Sequence, residues 1–231
     1  MPMARSKPES VRDVEIGLKT DWSLVGIKGR TNLALFDSRC TDAQVLTAAV
    51  IAGSPQGLTA NAAKATIKGV EVENVLRLTD HVELNLSYSR LDAAYDKYIT
   101  PLGADLTGTQ YPYAPREKAA GGGRLRLPLA STLGEVWLGA TYSYQSSVYV
   151  GITAFGGGIS PANTQPRYGL LNVRAEWNRI FGSRADLAVF VSNATDKVYE
   201  TTVEDLYNAT GASVATFGEP RTVAATLSYQ F

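Results

Sequence analysis

The last nine residues, Val223-Ala224-Ala225-Thr226-Leu227-Ser228-Tyr229-Gln230-Phe231, constrain the fold more than any other stretch of the chain. Val223, Ala225, Leu227, Tyr229 and Phe231 alternate with small or polar partners, and the segment ends on an aromatic. Period-2 alternation is the mark of a strand whose two faces meet different surroundings. At the edge of a soluble sheet, exposed Tyr and Phe would template aggregation. Where a strand stands between water and hydrocarbon, the same aromatics sit stably at the boundary. The segment therefore suits a wall with a different solvent on each side.

The same period recurs along the chain, with no competing helical stripe, and predicts about nine strands. They fall at about 12–21, 24–37, 64–78, 81–97, 115–128, 134–149, 166–178, 184–197 and 223–231, the second continuing through about 44–52 as an extension beyond a membrane. Val14, Ile16 and Leu18 oppose Asp13, Glu15 and Lys19; Leu33 and Leu35 oppose Lys28, Arg30 and Asn32; Val70, Val72 and Leu76 oppose Glu71, Glu73 and Arg77. Leu125 and Leu127 oppose Arg116, Lys118, Arg124 and Arg126, and Leu171, Val173 and Trp177 oppose Asn172, Arg174 and Glu176. In the fourth strand the alternation of Val82, Leu84, Leu86 and Tyr88 is lost at Arg90, which predicts a bulge there.

Connections alternate in length. Trp22-Ser23, Thr79-Asp80, 130–133 and 179–183 are short, whereas about 50–62, 98–114, 150–164 and 199–217 are long and rich in Gly, Pro, Asn and Thr. Short turns at one end and long loops at the other are the habit of transmembrane barrels. Aromatics gather at both ends: Tyr95, Tyr98, Tyr111, Tyr113, Tyr149, Tyr168, Tyr199 and Phe217 near the long loops, and Trp22, Trp177, Phe181, Tyr229 and Phe231 near the turns. Roughly ten residues at about 3.3 Å, tilted about 45°, span about 23 Å, close to the expected apolar height. The charged face cannot be a dry core, because each unpaired buried charge would cost several kcal/mol.

Composition removes other classes. The chain carries 22 basic and 22 acidic side chains, so no basic surplus points to nucleic acid. The longest apolar run, Leu46 to Ala52 with Thr47 inside it, is far too short for a spanning helix. Cys40 is the single cysteine, which leaves no internal disulfide framework. The first eight residues have no apolar segment of the kind an export signal needs.

No catalytic constellation is visible, and no enzyme activity, cofactor or metal site is expected. His81, the single histidine, sits beside Thr79-Asp80 with no positioned nucleophile, and Cys40 with His81 gives no metal-ligand spacing. Gly121-Gly122-Gly123 is followed by no Lys-Ser/Thr and no helix, so relief of crowding in a strand explains it better than a phosphate loop. Asn193-Ala194-Thr195 and Asn208-Ala209-Thr210 fit a glycosylation sequon that a bacterial membrane reading makes incidental.

Five segments carry a resemblance. Lys7-Pro8-Glu9 followed by Glu15-Ile16-Gly17-Leu18-Lys19, then Asn32-Leu33-Ala34-Leu35-Phe36, then Asn61 and Lys64-Ala65 before Gly69-Val70-Glu71-Val72-Glu73, occur in that order. Asn193-Ala194-Thr195-Asp196-Lys197-Val198-Tyr199 and Gly218-Glu219-Pro220-Arg221-Thr222 with the terminal Tyr229-Gln230-Phe231 complete the set. Together they resemble the C-terminal part of the barrel of TonB-dependent outer-membrane receptors, with Ala194 in place of the usual Leu and Thr226 where Gly is frequent. The resemblance implies an all-β, antiparallel transmembrane β-barrel segment of about nine strands, with short periplasmic turns and long extracellular loops. Because such receptors close about twenty-two strands around a plug, residues 1–231 are expected to be a partial barrel without plug or signal peptide.

The implied function is uptake of a scarce ligand such as a ferric siderophore. The implied partners are outer-membrane lipid, TonB through a plug, the barrel assembly machinery and an unidentified small molecule, with no nucleic acid. Tyr98, Tyr111, Tyr113, Tyr149, Phe155 and Tyr207 are candidate vestibule residues, and Tyr229 and Phe231 a candidate assembly signal. Two rival classes stay open: a small outer-membrane barrel serving as pore or enzyme, and a soluble β-sandwich binding module.

Overall fold

The computed structural model describes residues 6–51, 54–100, 103–150, 163–205 and 212–231. In chain order the strands are β1 (Ser10–Leu24), β2 (Ile27–Ile51), β3 (Ser54–Arg77), β4 (Val82–Tyr98), β5 (Glu117–Arg126), β6 (Glu135–Gln145), β7 (Val148–Tyr149), β8 (Thr164–Gln165), β9 (Tyr168–Asn178), β10 (Ala185–Ser192), β11 (Glu200–Asp205), β12 (Ser213–Phe217) and β13 (Thr222–Tyr229). One nine-stranded sheet runs β1-β2-β3-β4-β5-β6-β9-β10-β13, with β7-β8 and β11-β12 as separate two-stranded ribbons. Every pairing is antiparallel. The wall is thus an up-and-down meander with β1 and β13 at its edges.

Register decides which residues share a face, since directly opposed residues point the same way. Leu18, Leu33, Val72 and Tyr88 form one continuous row across β1 to β4. Leu125, Leu138, Ala175 and Val189 continue that face through β5, β6, β9 and β10, and Ala225 closes it on β13. The opposite face carries Lys19, Asn32, Glu73, Ser87, Arg124, Arg174 and Ser192. The apolar row is not covered: Ile16 and Leu227 are each 72% exposed, and Leu86 44%.

The buried residues lie elsewhere, beside the long loops. Ala43, Val45, Ala63, Ala65, Tyr95, Tyr98 and Leu106 form one cluster, with Cys40 and Tyr111 against it; Val148, Val150 and Val203 form another. The sheet itself is one layer with two exposed faces.

Several sequence expectations shift in detail. The first turn is Val25-Gly26, not Trp22-Ser23, because both residues take positive φ (51° and 81°) and close Leu24 directly onto Ile27. Of the stretch 50–62, the described residues 50–51 and 54–62 are strand and not loop: β2 and β3 stay paired out to Ile51 opposite Ser54. No bulge occurs at Arg90, which stays in phase opposite Val70. Arg90 stands on the apolar side at its rim, so the alternation is intact and only the polarity of the residues on that face has changed. The irregularity lies further on, opposite Lys64/Ala65. The sixth strand ends at Gln145 and the eighth at Ser192, and 199–217 contains the β11-β12 hairpin.

The remaining short connections are built from local chemistry. Thr79 Oγ1 accepts from the backbone N–H of His81 and of Val82, both at 3.1 Å, which closes the β3-β4 turn. Single 3-10 turns at Ser131–Leu133 and Ile180–Gly182 close the next two. Trp177 Nε1 ties them together by donating to the Leu133 carbonyl at 2.7 Å, and the Arg179 side chain pairs with Glu135. Among the described residues no helix is long and apolar enough to cross a membrane.

Candidate functional site

Two surfaces carry the functional chemistry: the polar face of the sheet and the loop cluster at its long-loop end. On the polar face, Arg30 makes a two-pronged contact with Asp21 at 2.6 and 3.1 Å. Glu83 sits between Arg124 at 2.6 Å and Arg77 at 3.3 Å, and Arg174 pairs with Glu176. Asn32 donates to Glu73 at 3.2 Å. Arg124 also lies 4.6 Å from the centre of the Trp137 ring, with Arg126 at 5.8 Å, and Arg174 lies 4.3 Å from that of Phe190. These arginines keep more than half of their side-chain surface open, so each pair contributes little to stability. They describe a face wetted by water or by another polar surface.

Small residues hollow out the middle of that face. Ser87, Ala120, Gly122, Gly139 and Thr141 floor a groove of about 580 Å³ flanked by Arg124, Arg174 and Phe190. The glycine run is there for packing. A Cβ on Gly123 would come within 2.8 Å of Leu84 on the apolar side, and one on Gly122 within 3.0 Å of Thr141 on the polar side. The expectation that these glycines relieve crowding agrees with this geometry.

At the long-loop end, Tyr95 is sandwiched by Tyr98 and Tyr111, with ring centres 4.9 and 5.1 Å away. Burial, reinforced by Tyr111, Tyr98, Tyr149 and Cys40, pushes the Tyr95 hydroxyl far above the ordinary tyrosine range. Burial likewise raises Tyr111 and Cys40. The loop after β4 is held down by the backbone N–H of Leu106 donating to Tyr98 O at 2.8 Å and that of Tyr111 to Ala93 O at 2.9 Å.

The candidate vestibule tyrosines do not form one lining. Tyr113 is 66% exposed, Tyr111 is half-buried, and Tyr98 and Tyr149 are buried. Tyr113 N donates to the Tyr149 carbonyl at 2.7 Å, so the loop after β4 meets β7. Phe155 and Tyr207 lie outside the described residues. The long-loop aromatics also fall short of an outward belt: Tyr95, Tyr98 and Tyr149 pack inward, and Tyr168 stacks on Tyr199 at 4.7 Å. Tyr88 and Tyr142, whose phase the sequence shows, stand outward instead. At the other end Trp177 meets Phe181 at 5.1 Å, and Tyr229 meets Phe231 at 5.5 Å. His81 is a turn residue, its carbonyl accepting from Arg126 N at 2.8 Å. Among the described residues no three His, Cys, Asp or Glu side chains converge as metal ligands.

One knot escaped the sequence reading. Asn193, buried and left-handed (φ 46°), donates through Nδ2 to the carbonyls of Lys197 (2.9 Å) and Glu219 (3.1 Å) and accepts from Lys197 N (2.9 Å). Asp196 accepts from Arg221 N at 2.9 Å. The Asn-x-x-Asp spacing was visible, but only the fold brings residues 219–221 to it.

Residues 6–194 match the family model described as TonB dependent receptor-like, beta-barrel. No curated protein matches the chain. Among solved structures, the ferric yersiniabactin uptake receptor FyuA from Yersinia pestis superposes with a TM-score of 0.71 at 18% identity, over 96% of this chain and 30% of that one. BauA, the ferric preacinetobactin receptor from Acinetobacter baumannii, gives 0.68 at 21% identity, over 96% and 29%. The copper transporter OprC gives 0.69 at 15% identity, over 99% and 32%. The chain therefore spans about a third or less of the length of these receptors.

Proposed function

Because the chain belongs to the TonB-dependent receptor β-barrel family, we propose that it forms the C-terminal portion of the barrel wall of an outer-membrane receptor that imports a scarce ligand. One observation carries this reading: a single sheet whose apolar face is exposed along its length while the other face carries ion pairs. A soluble two-layer sandwich would bury that apolar face against a second sheet. In lipid the exposed face is the favourable one, and antiparallel pairing satisfies the backbone within the wall.

In this reading the short turns lie in the periplasm and the long loops outside the cell, with lipid as the partner of the apolar face. The polar groove faces a plug through which TonB delivers energy, and β1 and β13 pair with further strands of the same barrel. Tyr229 and Phe231 act as the signal read by the assembly machinery. The ligand meets the loop end, where Tyr113 is available for contact, Tyr111 partly so, and Tyr98 and Tyr149 hold the loops in place; Phe155 and Tyr207 belong to the same candidate vestibule.

Ferric siderophores are the proposed ligand class, supported by the likeness to FyuA, a ferric yersiniabactin uptake receptor, and BauA, a ferric preacinetobactin receptor. OprC makes copper the specific alternative. The test is uptake of radiolabelled iron chelates and copper by cells with the gene intact or deleted, with and without TonB. TonB-dependent loss of iron uptake on deletion is expected. Unchanged uptake of both metals would contradict import of either cargo.

A further inference from the structure

The polar groove is one part of a longer trough. It shares Glu73, Ser87 and Ala120 with a second hollow of about 420 Å³. Through Lys118, Gln145 and Tyr168 that hollow continues into a third of about 220 Å³, walled also by Tyr113 and Gln165. Register explains the depression. On the polar face of β4, β5 and β6, Ser87, Ala120 and Ser143 form one cross-strand row, and Asn85, Gly122 and Thr141 form the next row toward the short turns. None of these six carries a charge or a long side chain. On β1, β2 and β3 the same two rows are Lys19, Asn32 and Glu73, then Asp21, Arg30 and Val75, which are longer and mostly charged.

Cations stand at both ends of the trough. At the long-loop end Lys118 lies between Ser89 and Gln145 in one row; it is exposed and, among the described residues, makes no ion pair within 4.0 Å. Roughly 20 Å further along the strand direction, Arg124 and Arg174 flank Gly139 in a single row. Each already holds a carboxylate, Glu83 at 2.6 Å and Glu176 respectively, and keeps more than half of its side-chain surface open. The carboxylates that border the upper trough, Glu71 and Glu73, stand on its β3 edge, and Glu73 accepts from Asn32 at 3.2 Å. The floor between the cations is therefore neutral and lined with hydroxyl and amide groups.

We infer that this trough is the path along which an anionic, hydrophilic cargo moves down the wall. The inference rests on the proposal that the chain is part of the wall of an import receptor; it adds the sign of the cargo and the strands it follows. A cleft edged by one sign of charge concentrates ions of the other sign. Passage also requires that no stop holds too tightly, and a series of weak contacts meets that need. Ser87, Ser143, Asn85 and Thr141 offer exchangeable hydrogen bonds one row after another, with no charge among them to trap the cargo. Gly122 keeps the floor low, since a Cβ there would come within 3.0 Å of Thr141 Oγ1. The β1-β3 side, with Lys19, Asp21, Arg30 and Glu73 interspersed, offers an anion as much repulsion as attraction.

The test uses the complete receptor in cells, with single cysteines in a Cys40→Ser background. Ser87→Cys, Thr141→Cys and Ser143→Cys stand in the trough; Asn32→Cys and Ala34→Cys stand on the same face of β2. Each is exposed to a small thiol reagent in a sulfonate form, a quaternary-ammonium form and an uncharged form. The trough cysteines should react faster than the β2 pair, and there the sulfonate should outpace the ammonium by about tenfold. Lys118→Gln should shrink that preference and leave the uncharged rate alone. The attached label should then block uptake of whichever radiolabelled iron chelate or copper the deletion test shows to be imported, with binding to the cell surface unchanged. Protection of the trough cysteines to the β2 level would mean that a plug fills the trough, and overturns the inference. Equal reaction with both charged reagents, or uptake that persists after full labelling, overturns it too. If one cysteine variant fails to assemble, the other two give the same reading. Import of neither cargo by the wild type sinks the import proposal and this path together; import that ignores the label sinks only the path.

Discussion

Phe36 lies across Gly69 on the polar face, between β2 and β3, so closely that a Cβ at position 69 would come 2.5 Å from the ring Cζ and 2.8 Å from the Arg90 carbonyl oxygen. The ring could turn, but the carbonyl belongs to β4 and cannot move without moving the strand. Gly69→Ala is therefore expected to cost about 1–3 kcal/mol. Gly17→Ala, whose nearest neighbour would be the Leu33 carbonyl at 3.4 Å, should stay within about 0.5 kcal/mol of wild type. Urea midpoints in detergent, compared at constant slope, check both.

Asn193 fixes where the long-loop end of β10 meets the start of β13. Asn193→Ala removes its side-chain bonds to Lys197 and Glu219 and places a Cβ residue without local hydrogen bonding at positive φ. A loss of about 1–3 kcal/mol is expected. Asn193→Gly relieves the backbone but not the lost bonds, so it should recover less than half. Hydrogen exchange at Val223 and Ala224 reads the result, with faster exchange in both variants.

Tyr95 predicts an alkaline weakness of the loop cluster. Its hydroxyl is raised in the folded state by burial first and by Tyr111, Tyr98, Tyr149 and Cys40 after it. A raised folded value means that its contribution is intact below the unfolded value of about 10 and is lost as pH climbs beyond it. Wild-type loops should become protease-sensitive above about pH 10, and Tyr95→Phe should shift that onset upward. An unshifted onset would show that Tyr95 is not the group responsible.

Leu86 and Ser87 are neighbours on opposite faces of β4. Leu86→Arg should cost about 2–4 kcal/mol in a bilayer, whereas Ser87→Arg should cost less than about 1 kcal/mol. Folding yield into lipid vesicles distinguishes them; equal yields would mean the faces are not differently solvated.

The wall was legible because its message is local and repeated. Val70-Glu71-Val72-Glu73 states the faces of β3 without help from any other strand, and the register agrees with it. Where solvent changes along a strand, the local message misleads. Arg90 reads as broken phase, although it remains in line with Val70 and marks the point where apolar side chains on that face give way to charged ones. The start of β3 was read as a loop because Pro55, Gly57 and Asn61 look like punctuation, and β2 supplies the pairing that overrides them. The candidate vestibule was least legible. Tyr98 and Tyr113 look alike in sequence, yet one anchors a buried cluster and the other is open. Which is which depends on how the loop after β4 folds back onto Ala43 and Ala63.

The most direct test of the account places single cysteines, in a Cys40→Ser background, at Val70, Val72, Leu86 and Val173 and at Glu71, Glu73, Ser87 and Arg174. A fluorophore on each is then quenched by brominated lipid in vesicles holding the complete receptor. The first four should be strongly quenched and the second four not. Quenching of the ionic set, or of both sets alike, would contradict the claim that hydrocarbon covers the Leu/Val side of this sheet and water or a polar partner covers the other.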